Sequence, residues 1–238
     1  MVRYSGRQPQ EAFPPDFDEE AVEIIRAVKP YTLTNKERLF ALIQAVRYVV
    51  RANIAGSIVE CGVWRGGSMM AAALTLKRLA KEDRDLYLFD TYAGMTRPTE
   101  VDISYRGQSA FVQFERAKQT GATAAWHCVP LEEVKGNLVN TGYTPERMKF
   151  IKGKVEDTLP GSTPQQIALL RLDTDWYEST RHELIHLFPR LAVGGVLIVD
   201  DYGYWQGSRK ATDEYLAQNN LVMLLNRVDN TGRMAVKP

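Results

Sequence analysis

The chain has 238 residues, of which 45% are hydrophobic and 25% charged, as in a soluble domain with its own apolar core. Lys and Arg number 30 against 29 acidic residues, so a net charge of +1 favours neither nucleic acid nor an anionic membrane as partner. Two cysteines are too few for a disulfide framework, and we find no signal peptide or membrane span, which predicts a cytoplasmic protein.

Residues 1–55 are expected to form an arm and a helix that belong to the same domain as residues 56–238. The arm is polar and interrupted by prolines, with a helical candidate at Glu19–Val28, and it either docks on a partner or covers a site. A second helix is predicted from the capping-box pattern Thr34-Asn35-Lys36-Glu37 to about Ala52.

Strands and helices alternate through the rest of the chain. The predicted strands are Ser57–Glu60, Leu86–Asp90, Met148–Ile151, Ile167–Leu172 and Val196–Val199. The predicted helices are Ser68–Lys81, Phe111–Lys118, Leu131–Val139 and Ser179–Leu191, the last stopped by Gly194-Gly195. Continuous apolar strands separated by helices indicate a parallel sheet covered on both faces.

The C-terminus reads as a hairpin. Leu221–Val228 and Arg233–Lys237 flank the turn residues Asp229–Gly232. An antiparallel hairpin at the end of such a sheet is the arrangement of class I methyltransferases. We therefore predict an α/β, Rossmann-like, mostly parallel seven-stranded sheet with an N-terminal helical extension.

A glycine-rich segment follows the first strand. Glu60-Cys61-Gly62-Val63-Trp64-Arg65-Gly66-Gly67 lies where a doubly wound sheet binds its ligand. The spacing differs from the Gly-x-Gly-x-x-Gly that seats a pyrophosphate, and Glu60 would repel phosphates but suits a cationic amine, as in S-adenosylmethionine (SAM). Asp90 ends the second strand, where a carboxylate can accept hydrogen bonds from ribose hydroxyls. A tight turn alone would also explain the glycines, but together with the two acids they indicate a cofactor site.

Two predicted strands end in pairs of acids, Asp173 with Asp175 and Asp200 with Asp201. Neighbouring strands lie about 4.8 Å apart, so four carboxylates would crowd together and repel one another. A divalent cation removes that conflict, and all-oxygen ligands favour Mg²⁺ or Mn²⁺ over Zn²⁺. We assign Asp173, Asp200 and Asp201 as ligands and Asp175 as a general base. Helix capping by the acids and a structural Ca²⁺ are the alternatives.

At these positions the sequence resembles the macrocin O-methyltransferase family, the TylF-type enzymes that methylate sugars of antibiotics. The similarity covers about Thr32 to Lys210. The matching stretches are Ile58–Ser68, Phe89–Met95, Phe150–Gly153, Glu156–Pro160, Arg171–Asp175, Tyr177–Thr180 and Gly194–Gly203. The family often has glycine and leucine beside the base, where this chain has Thr174 and Trp176, and that difference alters the expected acceptor pocket.

The resemblance implies a SAM- and magnesium-dependent O-methyltransferase, usually a homodimer, with residues 56–238 as the methyltransferase domain. It implies cofactor contacts by Glu60, Cys61, Gly62, Arg65, Gly66, Ser68, Asp90, Thr91, Gly153, Glu156, Asp157 and Asp173. It also assigns Asp173, Asp200 and Asp201 to the metal and Asp175 to proton abstraction.

The expected acceptor is a sugar hydroxyl of a glycosylated natural product or of a nucleotide deoxysugar. A catechol or phenol acceptor and a SAM-binding regulator without chemistry are the competing functions. A dedicated base favours an alcohol, which is less acidic than a phenol. A regulator would have no need for clustered acids that repel one another.

Four further features have two interpretations each. Trp176 and Trp205 either line the acceptor pocket or pack in the core, and Thr96–Gln108 is either a lid or an exposed loop. Arg209-Lys210 either holds a phosphate of a nucleotide-linked sugar or is a solvated pair. His182 and His186 are assigned ordinary surface or interface roles, because no third metal ligand accompanies them.

Overall fold

The computed structural model describes residues 12–119 and 126–238, so the predicted arm is seen only from residue 12 onward. The α-helices are α1 Glu19–Val28, α2 Lys36–Arg51, α3 Gly67–Arg78, α4 Ala110–Gln119, α5 Leu131–Val139, α6 Val155–Thr158, α7 Tyr177–Leu187 and α8 Gln206–Gln218. The strands are β1 Ser57–Cys61, β2 Leu86–Asp90, β3 Met148–Lys152, β4 Ile167–Leu172, β5 Leu191–Val199, β6 Asn226–Arg227 and β7 Arg233–Val236.

In the described part of the chain the strands form one sheet of seven, in the order β3-β2-β1-β4-β5-β7-β6. Strands β1 to β5 are parallel, and β7 pairs antiparallel with both β5 and β6. The strand order reverses between β1 and β4, which makes the carboxyl edge there the expected ligand site. The predicted fold class is confirmed.

Apolar side chains cover both faces of the sheet because successive strand residues point to opposite sides. Ile58 and Leu169 face a layer formed by α1, α2 and α3. Val59 and Leu170 face the opposite layer, which includes α7 and α8. The two N-terminal helices therefore share a core with the sheet. Within residues 12–119 and 126–238, no helix has the length and apolarity needed to cross a membrane.

The predicted helix Ser179–Leu191 was wrong at its C-terminal end. Helix α7 ends at Leu187, and a 3₁₀ turn containing Pro189 follows it, since proline cannot continue the hydrogen-bond ladder. Gly194 and Gly195 lie inside β5, so they do not stop a helix. Gly194 has a φ of +77°, which bends the strand before its buried half.

Two smaller predictions also differ from the structure. The C-terminal hairpin is short, with only Asn226 and Arg227 pairing with β7, because the chain before them has no strand conformation. Helix α2 is capped by Asn35, whose side chain accepts from the Arg38 amide. The Thr34 hydroxyl expected to cap it instead accepts a hydrogen bond from Arg171.

Candidate active site

A cavity of about 260 Å³ opens at the carboxyl ends of β1, β2, β4 and β5. Ten residues predicted from the sequence line it. They are Gly62, Ser68, Asp90, Thr91, Gly153, Glu156, Asp173, Asp175, Asp200 and Asp201. The cavity therefore brings the predicted cofactor loop and the predicted acid cluster into one space.

Five predicted cofactor residues do not line this cavity. Glu60 and Cys61 are buried beneath it, 1% and 0% exposed, as the last residues of a covered strand. Arg65 points outward to Glu133 and to the Pro30 carbonyl. Gly66 faces Leu138 and Asp157 is exposed on α6, so neither borders the cavity.

Gly62 holds the ends of β1 and β4 together at the floor of the cavity. Its φ is +83°, and a Cβ there would lie 2.0 Å from the Asp173 carbonyl oxygen. Only glycine permits that conformation and that approach. The close approach that requires glycine here is to the backbone of Asp173, directly after the neighbouring strand β4.

Asp90 organises the glycine loop. One carboxylate oxygen accepts from the amides of Val63 and Trp64 at 2.7 and 3.1 Å, and the other accepts from the Tyr92 amide at 2.8 Å. Carboxylate oxygens have about four lone-pair positions in all, so acceptor capacity remains toward the cavity. Asp90 thus orients the loop in addition to facing the ligand space.

Arg171 lies at the centre of the acids and was missed as a functional residue. Its Nη1 donates to Glu60 at 2.7 Å and to Asp173 at 2.6 Å, and its Nη2 donates to Asp200 at 2.6 Å. The side chain is 3% exposed. Burial raises the pKa of Glu60 to about 7, although the positive charge of Arg171 opposes the shift. The sequence does contain a signal for this role, because Arg171 lies inside the apolar run of β4. A buried cation requires anionic partners, which the acids at the strand ends supply.

Arg38 of α2 is a second cation that sequence reasoning missed. It lines the cavity and forms ion pairs with Asp200 and with Asp229 of the C-terminal turn. Asp200 therefore has one oxygen on Arg38 and the other on Arg171. The helical pattern of α2 gives no indication of this role, because Asp200 is 162 residues away in sequence.

Three carboxylates form the tightest group of possible metal ligands in the described residues. Asp173, Asp175 and Asp201 each offer an oxygen within 4.8 Å of the other two. The sequence had grouped Asp173 and Asp201 with Asp200, but both oxygens of Asp200 face arginines. Burial raises the pKa of Asp173 and of Asp201 well above the usual range, and neighbouring acids add to both shifts.

Asp175 is held in place by Trp205. The indole Nε1 donates to the Asp175 carboxylate at 3.1 Å, and Asp175 has a φ of +67° that turns its side chain back toward the acids. Burial and then the charge of Asp173 raise the pKa of Asp175 to about 7. Neither Trp205 nor Trp176 is among the residues that line this cavity, and Trp176 is 2% exposed, as a core residue would be.

The segment Thr96–Gln108 is anchored beside the cavity. Asp102 is fully buried and accepts hydrogen bonds from the Thr99 amide and hydroxyl and from the Tyr177 amide. Trp176 Nε1 donates to the Thr96 carbonyl, and Thr96 lines the cavity. The segment therefore forms one wall and is tied to the start of α7.

The lining charges fit a cationic ligand. Six carboxylates face the cavity, whereas its full cations are Arg38 and Lys154. The carboxylates are Asp90, Glu156, Asp173, Asp175, Asp200 and Asp201. Buried oxygens of Glu60, Glu156 and Asp201 have no hydrogen-bond partner in the described structure. A cationic amine or sulfonium beside the loop and a divalent ion at the cluster would satisfy this excess of acceptors.

The cluster also fits a small divalent cation in its dimensions. Two oxygens on one Mg²⁺ at about 2.1 Å each lie at most ~4.2 Å apart. The 4.8 Å limit on the three oxygens is close to that span. The three oxygens would therefore have to approach one another in order to share one ion.

Comparisons with known proteins identify the family of the chain. The family model described as macrocin-O-methyltransferase (TylF) matches residues 6–236. Demethyldecarbamoylnovobiocin O-methyltransferase of Streptomyces niveus is 32% identical over 202 residues, which cover 85% of this chain and 74% of that protein.

A second relative has a similar level of identity. The 8-demethyl-8-(2,3-dimethoxy-alpha-L-rhamnosyl)-tetracenomycin-C 4'-O-methyltransferase of Streptomyces olivaceus is 31% identical over 85% of this chain and 74% of its own. The solved structure of the O-methyltransferase NovP superposes with a TM-score of 0.74 at 31% identity, covering 87% of this chain and 82% of that one. The chain therefore belongs to the macrocin-O-methyltransferase (TylF) family and is a SAM-dependent O-methyltransferase.

Proposed function

We propose that this enzyme methylates a sugar hydroxyl of a glycosylated natural product or of a nucleotide-linked deoxysugar, with Mg²⁺ or Mn²⁺ in its site. The observation that carries the proposal is the position of Asp175, fixed by Trp205 inside an acid cluster that faces the same cavity as the glycine loop. The rhamnosyl-tetracenomycin and mycinamicin III 3''-O-methyltransferase names of two relatives support a sugar acceptor.

On the cofactor side, Gly62 and Ser68 would face the methionine part of SAM and Asp90 with Thr91 the ribose. Gly153 and Glu156 border the space assigned to the adenine. SAM, when bound, supplies an electrophilic methyl group on a sulfonium. The six lining carboxylates favour that positive charge over the neutral product, which assists binding of the donor before transfer.

On the acceptor side, Asp173 and Asp201 would hold the cation, with Asp200 positioned against Arg38 and Arg171 beside them. A bound divalent cation would lower the pKa of an acceptor hydroxyl that it contacts. Asp175 would take the hydroxyl proton as the oxygen attacks the methyl carbon. In the metal-free site, burial and then the charge of Asp173 raise the pKa of Asp175, which makes its carboxylate a stronger proton acceptor.

The test is SAM titration by calorimetry with and without EDTA, followed by methyl-transfer assays on glycosides, nucleotide deoxysugars and catechols. We expect turnover on a sugar that EDTA abolishes and added Mg²⁺ restores. Turnover on catechols alone would replace the sugar acceptor with a phenol. Sugar turnover that is insensitive to EDTA would show that the cluster works without a metal.

We also propose that the enzyme is a homodimer. Val222, Leu224 and Val193 are 92%, 77% and 74% exposed, and apolar side chains so exposed are suited to a protein interface. Light scattering after size-exclusion chromatography would test this. A dimer that becomes monomeric in Leu224→Glu is the expected result, and a monomeric parent chain would refute it.

A further inference from the structure

A second cavity, of about 290 Å³, lies beside the C-terminal hairpin. Arginines from two elements dominate it, Arg209 from α8 and Arg227 and Arg233 from the hairpin. The full lining is Tyr105, Gly203, Arg209, Arg227, Asn230 and Arg233. No carboxylate borders this arginine cavity, in contrast to the acidic cavity next to it.

Each of the three guanidiniums donates to a backbone carbonyl, and Arg209 and Arg227 are exposed to solvent. Arg209 Nε donates to the Tyr202 carbonyl at 3.2 Å and Arg227 Nε to the Asp229 carbonyl at 2.8 Å. Arg233 Nη1 donates to the Gly232 carbonyl at 2.9 Å. Among the described residues, none of the three arginines has a carboxylate oxygen within the 4.0 Å of an ion pair.

The arginines are also close to one another. The guanidiniums of Arg209 and Arg233 lie 5.6 and 5.2 Å from the centre of the Tyr202 ring. Burial, followed by the positive charge of Arg227, lowers the pKa of Arg233. Arg209 adds to this shift, whereas Tyr202 and Asp229 oppose it. Like charges gathered around one cavity repel each other unless an anion enters it.

The arginine cavity adjoins the reaction centre. Gly203 lines it and follows Asp201 by two residues, a separation of at most about 7.6 Å between Cα atoms. The C-terminal turn connects the two cavities, because Asp229 pairs with Arg38 of the acidic cavity. A Cβ on Gly232 would lie 3.0 Å from Arg38 Cδ, so Arg38 packs directly against that turn.

We infer that the arginine cavity binds the diphosphate of a nucleotide-linked sugar, whose sugar ring then reaches the acid cluster in the adjoining cavity. Guanidinium groups bind phosphate oxygens in pairs, and Arg209 and Arg227 use only Nε in the contacts above, which leaves their Nη donors for a ligand. A finished glycoside with an uncharged aglycone would make no ionic contact with the three guanidiniums. The inference rests on the proposed function and selects one of its two acceptor classes.

The binding test uses a nucleoside diphosphate and inorganic pyrophosphate as probes on the full chain, titrated by calorimetry in the presence of SAM. We expect each of Arg209→Gln and Arg227→Gln to weaken nucleoside diphosphate binding about tenfold, as loss of a charged hydrogen bond does. Lys210→Gln is the matched control, since Lys210 is adjacent in sequence but pairs with Glu214 outside the cavity. Binding that is undetectable, or that is equal in all four proteins, would overturn the inference.

The activity test compares a nucleotide deoxysugar with the methyl glycoside of the same sugar. Arg209→Gln and Arg227→Gln should raise KM for the nucleotide sugar and leave the affinity for SAM unchanged. Equal turnover of both acceptors, with KM unaffected in the variants, would overturn the inference but leave sugar methylation intact. Arginine-dependent diphosphate binding without methylation of any sugar would overturn the proposed function but support the diphosphate site.

Discussion

Arg171 connects the two halves of the acidic cavity, because one guanidinium binds Glu60 below the glycine loop and Asp173 and Asp200 in the cluster. A cation with 3% exposure and three anionic partners is stabilising only while the set is complete. Removal of the cation would leave buried carboxylates without compensation.

Arg171→Met is expected to lower the free energy of unfolding by about 3–5 kcal/mol, measured by urea denaturation without metal. The double variant Arg171→Met with Glu60→Gln should lose less than the single variant, since one uncompensated charge is gone. A loss below about 1 kcal/mol in the single variant would show that the acids do not depend on Arg171.

Asp175→Asn is expected to reduce kcat by about 10²–10⁴-fold, because an amide cannot accept the acceptor proton. SAM affinity measured by calorimetry should fall far less than kcat, because Asp175 is one of six lining carboxylates. Asp157→Asn is the control, since Asp157 is exposed on α6 outside the cavity. Retention of kcat in Asp175→Asn would assign the base elsewhere, and weaker SAM binding in Asp157→Asn would restore the sequence-based role of Asp157.

Single residues at strand ends were the easiest part of the site to predict. Asp90 ends β2, Asp173 follows β4, and Asp201 is the second residue after β5, so chain order alone places them at one sheet edge. Arg38 and the Trp205 contact to Asp175 depend on packing between elements distant in sequence, for which the local pattern carries no information.

Strands β1 and β4 meet at Gly62, and this junction sets the width of the cavity floor. The residue has left-handed backbone and no room for a side chain against Asp173. Gly62 is needed because two strands approach each other there, whereas a glycine in an exposed turn is needed only for the backbone conformation of the turn.

Gly62→Ala is expected to destabilise the fold by more than about 2 kcal/mol and to abolish SAM binding, because backbone strain and a clash with β4 add together. Gly136→Ala is the matched control: it lies inside α5, where a Cβ would meet nothing within 4 Å. That variant should gain about 0.5–1 kcal/mol from helix propensity. Thermal unfolding and calorimetry measure both, and equal behaviour of the two variants would refute the role of Gly62.

Strand β4, which is mostly apolar, was predicted to the residue, and so was helix α5. The boundary between α7 and β5 was not, because Pro189 and Gly194 each signal a break and the sequence does not say which one ends the helix. The first half of β5 is less buried than its second half and so lacks the continuous apolar pattern.

Buried acids give the whole molecule a characteristic dependence of stability on pH. Glu183 is fully buried under the cavity, and burial raises its pKa well above 4.5 even though Thr174 donates to it at 2.9 Å. The native state therefore keeps a proton that the unfolded chain has released above about pH 4.5. Stability consequently falls as pH rises from about 4.5 toward the raised pKa of Glu183 in the folded state.

Glu183→Gln is expected to flatten this slope, which for one proton is at most about 1.4 kcal/mol per pH unit. The measurement is urea denaturation of both metal-free proteins at pH 5 to 8. The free energy of unfolding of the variant should rise relative to that of the parent as pH rises, from a difference of about 0 at the acid end. Parallel stability curves for the two proteins would mean that Glu183 does not titrate differently on folding.

The pairing of Asp200 with Arg38 and Arg171 also bears on the order in which the enzyme is assembled in a cell. Zinc fingers need their metal in order to fold, because metal binding supplies their folding free energy. Here two guanidiniums already neutralise part of the acid cluster in the polypeptide itself. These ion pairs compensate part of the acid cluster without any metal ion. Under the metal-dependent function proposed above, metal supply would therefore limit how much of the enzyme is active without limiting how much folded chain accumulates.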